Sequence, residues 1–552
     1  MPIRIDRRRA LLGAGAAGAA LSLSPVLKNA AAASTFSAGP VRHILPSATH
    51  ERFVIKLSLH SAPSTPPLLR VGDQLVPGKQ SDTEGLFFIY DVSGLAPDTE
   101  YPLQLVDRRG HALTSAWPLR TFPAPAARPR RFRLAAITCA GGRDEFIDPR
   151  PDGDTDIEPQ FQPLRIKRRI LARALEFQPD ALHANGDHIY WDLRSVPSSL
   201  GQGMSPQAAL IGPGFFDRNQ PVLGTHNETI LKNGFGPQIA DLYGVDWRST
   251  PVYFVVDDHD YTDNDEANEL QRTFPPDRFM REVARTTQAM YYPELFTGGD
   301  FPVEYDTNGL SRDFGLLRYG KLFEGLIYNA KGQMTNTRDP QSPDYQGNSD
   351  QAGHPESRLV PEAIEEWLLQ RTADTDAAHL AHIPSSPILW GAGKFAEWYP
   401  DALGDDGHLT SDEDKPYWPD GWNLQHDRLL KATSEQERIP LWISGDLHAS
   451  ALGTISRTND TDLSANPVVS LCCGTPGTGE PGFPSSFRGV RPEPSTTVTA
   501  HEIVPAIEEN GFSIVDFTPS HVTVSMFAWD YRTQPEADID SLQPFHVQRF
   551  RR

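Results

Sequence analysis

The sequence predicts an α/β domain preceded by a small all-β sandwich, and three observations predict it. From 39 to 123, apolar residues alternate at period two, as half-buried strands do. From 130 onward, short apolar runs alternate with stretches of helical periodicity. Three of those runs stop abruptly at acids and imidazoles: Ala184-Asn185-Gly186-Asp187-His188, Val255-Val256-Asp257-Asp258-His259-Asp260, and Ile443-Ser444-Gly445-Asp446-Leu447-His448. Ligands of open α/β sheets bind at the carboxyl ends of strands, so these three breaks mark one site.

The chain opens with Arg4 and Arg7-Arg8-Arg9, a weakly hydrophobic Ala/Gly/Leu run over 10–23, and Ala30-Ala31-Ala32-Ala33. That order is the grammar of a signal peptide, and the paired arginines resemble the twin-arginine export signal. We expect residues 1–33 to direct export through the twin-arginine machinery and to be cleaved near Ala33, with a periplasmic or extracellular product. No later run approaches the roughly 20 apolar residues of a membrane span. Its 552 residues suffice for two or three domains. A net charge of −21 argues against a nucleic-acid-binding surface, since phosphate backbones attract basic faces. Three cysteines, Cys139, Cys472 and Cys473, make no disulfide framework.

Strands are predicted at 53–59, 86–90 and 101–106, separated by turns such as Ala96-Pro97-Asp98-Thr99. Gly94 to Tyr101 resembles the loop and following tyrosine of fibronectin-type sandwiches. Residues 39–123 are therefore read as a fibronectin-like domain and 123–129 as a proline-rich linker. The large domain is expected over 130–530, with 531–552 as a C-terminal tail. It opens with a buried strand over 132–139. Helices are expected over 165–177, 277–291, 361–373 and 424–433, a hairpin over 316–328, and a buried strand over 387–391. Paired strands over 513–517 and 522–527 close it. The Gly/Pro-rich stretch 197–236 is expected to loop over the site.

Four polar, ionisable groups at Asp257 to Asp260 would repel one another behind a buried strand unless a cation lay between them. Asp187 and Tyr190, three residues apart on a turn, can present both oxygens to one cation. A phenolate ligand favours trivalent iron over zinc or magnesium. Asp446 and His448 share one side of an extended segment, which suits one chelated metal or two. Cys139 ends the first strand and is a fourth candidate; Cys472 and Cys473 read as buried hydrophobes. Asp263, Asn264, Asp265 and Glu266 are hard oxygen donors of the kind calcium takes, or a solvated acidic loop.

Taken in order, Cys139, Gly186-Asp187-x-x-Tyr190, Asp257-Asp258-His259-Asp260 and Gly445-Asp446-Leu447-His448 resemble the PhoD-like alkaline phosphatase/phosphodiesterase family of the metallophosphoesterase superfamily. Trp418-Pro419-Asp420-Gly421-Trp422 belongs to the same resemblance. It implies a metallophosphoesterase-type β-sandwich flanked by helices and an exported phosphoester hydrolase using metal-activated hydroxide in line on phosphorus. It further implies Fe(3+) held by Cys139, Asp187, Tyr190 and His448. Asp187 would be shared with Ca(2+) bound by Asp258, Asp446 and Asn264, other divalent metals being alternatives. His259 would touch the phosphate or protonate the leaving group, making His259 and Asp187 the catalytic pair. The family's Asp-Thr-Arg strand is absent: the chain reads Ile327-Tyr328-Asn329-Ala330-Lys331, leaving Lys331 or Arg318 as substitutes for the substrate-binding charge. That departure motivates the alternative of an exported, catalytically weakened metal-binding or surface-binding protein.

Overall fold

The computed structural model describes residues 36–143, 161–190, 214, 216–261, 276, 278–333, 358–390, 420–485, 491–494 and 498–552. The expected export signal, Asn264 with its acidic neighbours, 197–213 of the expected loop, and Trp418-Pro419 lie outside these residues. Ala38–Arg552 form one compact unit.

Two four-stranded antiparallel sheets span Val41–Arg120. One joins Val41–Ala48, Arg52–Leu59, Phe87–Ser93 and Lys79–Gln80; the other joins Gln74–Pro77, Leu68–Val71, Glu100–Val106 and Trp117–Arg120. The first sheet is buried on both faces of its leading strands, not alternately. Helices cover it, so even Lys56 and His43 are buried. Lys56 pairs with Glu294 at 3.0 Å, and His43 is bonded to Ser58 and the Tyr291 carbonyl.

The rest is two larger sheets. In one, β1 (Phe132–Thr138) and β3 (Val252–Val255) pair in parallel with the central β2 (Ala181–Asn185). In the other, β4 (Phe314–Tyr319) and β5 (Phe323–Tyr328) form the expected hairpin. Parallel β6 (His379–Pro384), β7 (Leu441–Ser444) and β9 (Val468–Cys473) follow, with β8 (Ser450–Thr458) antiparallel to β9 and to β10 (Val498–Ile507). The first sheet is completed by antiparallel β11 (Asn510–Thr518), β12 (His521–Trp529) and β13 (His546–Arg551). Parallel pairing sends the carboxyl ends of β1, β2 and β3 to one edge, and those of β5, β6 and β7 to one edge of the second sheet. Three bonds bring the two edges together. Asn185 Nδ2 donates to the Pro384 carbonyl at 2.8 Å, the Asp446 N–H to Thr138 Oγ1 at 2.9 Å, and Ser386 Oγ to Asp257 at 3.4 Å.

Helices α1 (Leu164–Glu176), α3 (Arg278–Tyr291), α4 (Glu362–Asp374) and α5 (Asp420–Ser434) lie where the periodicity predicts them. Three readings change. Residues 226–236, expected as loop, belong to α2 (His226–Tyr243). Thr225 caps it, and Ile230, Leu231, Phe235, Ile239 and Leu242 are buried at helical spacing. Pro237 has no N–H for the Asn233 carbonyl four residues back, which instead accepts from Arg143. The strand expected over 387–391 lies upstream as β6; Pro387 to Trp390 are buried but belong to no strand. Two histidines, His379 and His382, disguise β6 in the sequence, yet both are buried. The expected tail ends as β13, paired to β12, and a short turn at Glu536–Ser541 is tied to α1 through Arg165 and Arg169. No helix among the described residues is long and apolar enough to cross a membrane.

Candidate metal centre

The site is built from the residues just past β1, β2, β3 and β7. Gly186 has φ +65°, and a Cβ there would meet the Asp257 Cβ at 2.5 Å. Gly445 allows the second sheet to close on the first, because a Cβ would lie 2.1 Å from Thr138 Oγ1. Cys139, Asp187, Asp446 and His448 all take positive φ, at 51°, 55°, 74° and 51°. Non-glycine residues pay about 1–3 kcal/mol for that conformation, and such strain gathers at functional sites. Half of the eight non-glycine residues with positive φ among the described residues are thus candidate ligands.

Their side chains converge. Asp187 Oδ2 accepts from Cys139 Sγ at 3.2 Å and from Tyr190 OH at 3.0 Å. Tyr190 OH lies 2.6 Å from His448 Nε2, whose ring is fixed by the Gly482 carbonyl at Nδ1, 2.5 Å away. Donation from Nδ1 leaves the Nε2 lone pair pointing into the cluster, as in metal-binding histidines. The ligand atoms of Cys139, Asp187 and His448 lie within 4.8 Å of one another, as do those of Asp187, Asp258 and Asp446. Asp187 belongs to both groups, and its Oδ1 is buried with no hydrogen-bond partner among the described residues.

Electrostatics supply a second reason to place cations here. Asp187, Asp257, Asp258, Asp260 and Asp446 are all buried, with Lys331 the cation beside Asp257. Burial pushes the Asp257 carboxyl well above its usual range; Lys331 opposes this, while Asp446, Asp258 and Asp187 add to it. Burial, then Asp187, likewise raises the Cys139 thiol and the Tyr190 phenol. A cation reverses that balance by stabilising the deprotonated ligands. The donor set, with its orphaned Asp187 oxygen, fits a pair of cations.

Supporting contacts that the sequence reading missed hold these ligands. Asp260 accepts from the backbone N–H groups of Asp187, His188 and Asp257, each at 2.9 Å, and so clamps the second and third strand ends together. Gln238 of α2 accepts from the N–H groups of Gly142 and Tyr190, each at 2.7 Å. Lys167 of α1 donates to the Gly141 and Gly142 carbonyls at 2.9 and 2.6 Å. Asp260 had a sequence signal, its place in the acidic run. Gln238 and Lys167 had none, because a lone amide or amine on a helix reads as surface.

His259 begins a short 3₁₀ turn, and its ring lies against Tyr190 at 4.3 Å between centroids. Lys331 is fully buried beside Asp257. Arg318 is not at the site. Its guanidinium pairs with Glu324 and Asp376, and Glu324 sits at the start of β5. The site lies past the far end of that strand, about 13 Å away at about 3.3 Å per residue. Asn329, just past β5, donates to Tyr261 OH at 2.7 Å and to Asp313 at 2.8 Å. Cys472 and Cys473 are buried in β9 and bonded to the Gly445 and Ser444 carbonyls.

No protein-family model matches the sequence, and no curated protein does. Among solved structures the likeness is to metallophosphoesterase-type folds. The chain matches the structure of PhoD with a TM-score of 0.58 and 13% identity, over 92% of this chain and 90% of that one. It matches purple acid phosphatase PPD1 from yellow lupin (Lupinus luteus) seeds with a TM-score of 0.52 and 12% identity, over 92% and 74%. The architecture expected of the large domain is thereby established as a fold.

Proposed function

We propose that this chain is an exported, metal-dependent hydrolase of phosphoesters. The observation that carries the reading is the pair of ligand groups sharing Asp187 at the meeting edge of the two sheets. Cys139, Asp187, Tyr190 and His448 form a mixed sulfur, nitrogen and oxygen half, suited to Fe(3+); Asp187, Asp258 and Asp446 are an all-oxygen set suited to Ca(2+). Bound cations would offset phosphate charge and acidify water. In this reading His259, whose ring lies against Tyr190, protonates the leaving oxygen. Lys331 acts as an internal counter-charge to Asp257, not as a substrate contact. Asp260, Gln238 and Lys167 position the ligand-bearing turns through their backbone. The fold likeness to PhoD and to a purple acid phosphatase supports the same reaction class.

Two finer readings accompany it. Residues 1–33 act as the export signal, on their basic and apolar order. The sheets over Val41–Arg120 make a fibronectin-like sandwich, a reading supported by Tyr101 OH accepting from the Ala96 N–H at 2.8 Å, as a tyrosine corner does.

The test is turnover of one phosphomonoester and one phosphodiester before chelation, after it, and after iron and calcium are restored. Turnover should vanish and return. Turnover that survives metal removal, or none in metal-loaded protein, would end the proposal.

A further inference from the structure

Beside the Val256–Tyr261 segment lies a second feature, a shallow cleft partly open to solvent. Helix α3 gives it one stripe: Arg281, Ala284, Arg285 and Gln288 stand at i, i+3, i+4 and i+7. Arg312 adds a third guanidinium from the turn before β4, and Gly332 and Gln333 close the wall after β5. Gln288 fixes the Arg312 backbone by donating to its carbonyl at 2.9 Å.

The charges here are unbalanced. Asp313 is the carboxylate of the wall, and it is engaged by Asn329 at 2.8 Å and Gln333 at 3.1 Å. Among the described residues, none of the three arginines pairs with a carboxylate, whereas Arg318 and Arg371 beside the same hairpin do. Arg281 Nε is buried with no hydrogen-bond partner among them. Glu282, next along the helix, is turned away to the Val222 N–H at 2.7 Å. Arginines four apart on a helix repel by a few tenths of a kcal/mol, and a third makes it worse. A guanidinium fork matches an oxyanion bidentately, so three around one cleft are a receptor for one.

Two residues of the cleft's wall stand close in the chain to residues of the candidate metal centre. Val256 is two residues from Asp258, a span of at most about 7 Å, and Gly332 adjoins Lys331. We infer that Arg281, Arg285 and Arg312 bind a second anionic group of the substrate, a phosphate or similar dianion. The substrate class is then phosphoesters that carry another phosphoryl or comparable anionic group. This rests on the phosphoester reading of the metal centre for its first anchor, while the anion cleft stands on its own residues.

The experiment is calorimetric binding of α,ω-alkane bisphosphonates and the matching alkyl monophosphonates to the purified protein with its metals. Neither ligand is hydrolysed, so the result does not depend on turnover. The best bisphosphonate should bind about tenfold more tightly than its monophosphonate. Arg281→Gln and Arg285→Gln should each erase most of that preference, and Arg278→Gln, on the same helix but outside the cleft, should keep it. A preference lost in the cleft variants of a protein that hydrolyses no ester would support the anion cleft and remove the hydrolase reading. A second equivalent of inorganic phosphate, lost in both variants without any bisphosphonate preference, would support the cleft with a free anion as its ligand. No preference and no second equivalent, or a preference unchanged in both variants, would overturn the inference.

Discussion

Two groups of buried carboxylates stand in this molecule, and they differ in what their oxygens have left to do. In the first, the buried Asp82 and Glu228, joined by the exposed Glu84, surround Lys232 at 2.7, 2.7 and 3.0 Å. Asp82 also accepts from the N–H groups of Gly85, Leu86 and Phe87, and Glu228 from Thr83 and Gly224. The protein itself supplies every donor needed. The second group, around Asp187, has more buried acids, Lys331 as its nearby amine, and an Asp187 oxygen with no donor among the described residues. The first group is a structural clasp between the N-terminal sheet and α2. The second is shaped for something from outside. Burial alone does not tell a clasp from a site; satisfaction of the buried oxygens does.

That contrast breaks most visibly at Asp187. Asp187→Asn should cost at least about a hundredfold in activity and remove bound metal, because one carboxylate serves both ligand groups. Elemental analysis beside turnover checks it, and undiminished metal would sink the bridging role. His259→Ala should lower kcat about a hundredfold or more while metal content holds. Loss of metal in that variant would make His259 a ligand.

Lys232→Met should do the opposite. Uncompensated buried acids would destabilise the fold by about 3–5 kcal/mol in denaturant unfolding, with metal content per folded molecule unchanged. Asp260→Asn sharpens the site side, with an expected ten- to hundredfold loss of metal affinity through the three N–H groups it clamps.

The smallest effect is a pH dependence. Burial pushes the Glu228 carboxyl up, but hydrogen bonds from Lys232, Thr83 and Gly224 outweigh it and hold it at about 2. Its ordinary value is 4.5. Between these values the unfolded chain binds the proton first, so the contribution of Glu228 is whole above about 4.5 and drains away as pH falls to 2. Glu228→Gln should flatten the acid limb of a stability profile over that window. An unchanged slope would place the acid sensitivity elsewhere.

Much of this was legible in the sequence, for a physical reason. Strand ends that carry candidate ligands announce themselves, because Gly-Asp and Asp-Asp-His breaks are out of place behind apolar strand residues. Hence Cys139, Asp187, Tyr190, Asp258, Asp446 and His448 converge as the motifs suggested. What was not legible depends on contacts made across the sheets. Histidines hid β6, and glycine and proline hid α2, although tertiary burial of Ile230, Phe235 and Ile239 overrides their weak helix propensity. Arg318 read as a free cation until its ion pairs with Glu324 and Asp376 placed it at the wrong end of the hairpin. No spacing rule links Arg281 to Arg312, so the arginine cleft exists only in the fold.

The most direct test of the central claim is the metal content of the purified protein, read with its visible absorption spectrum. The proposed function predicts a coloured protein holding iron and calcium, the colour arising from charge transfer between Tyr190 or Cys139 and Fe(3+). A colourless protein that binds no metal under any loading condition would contradict a cation centre at Asp187.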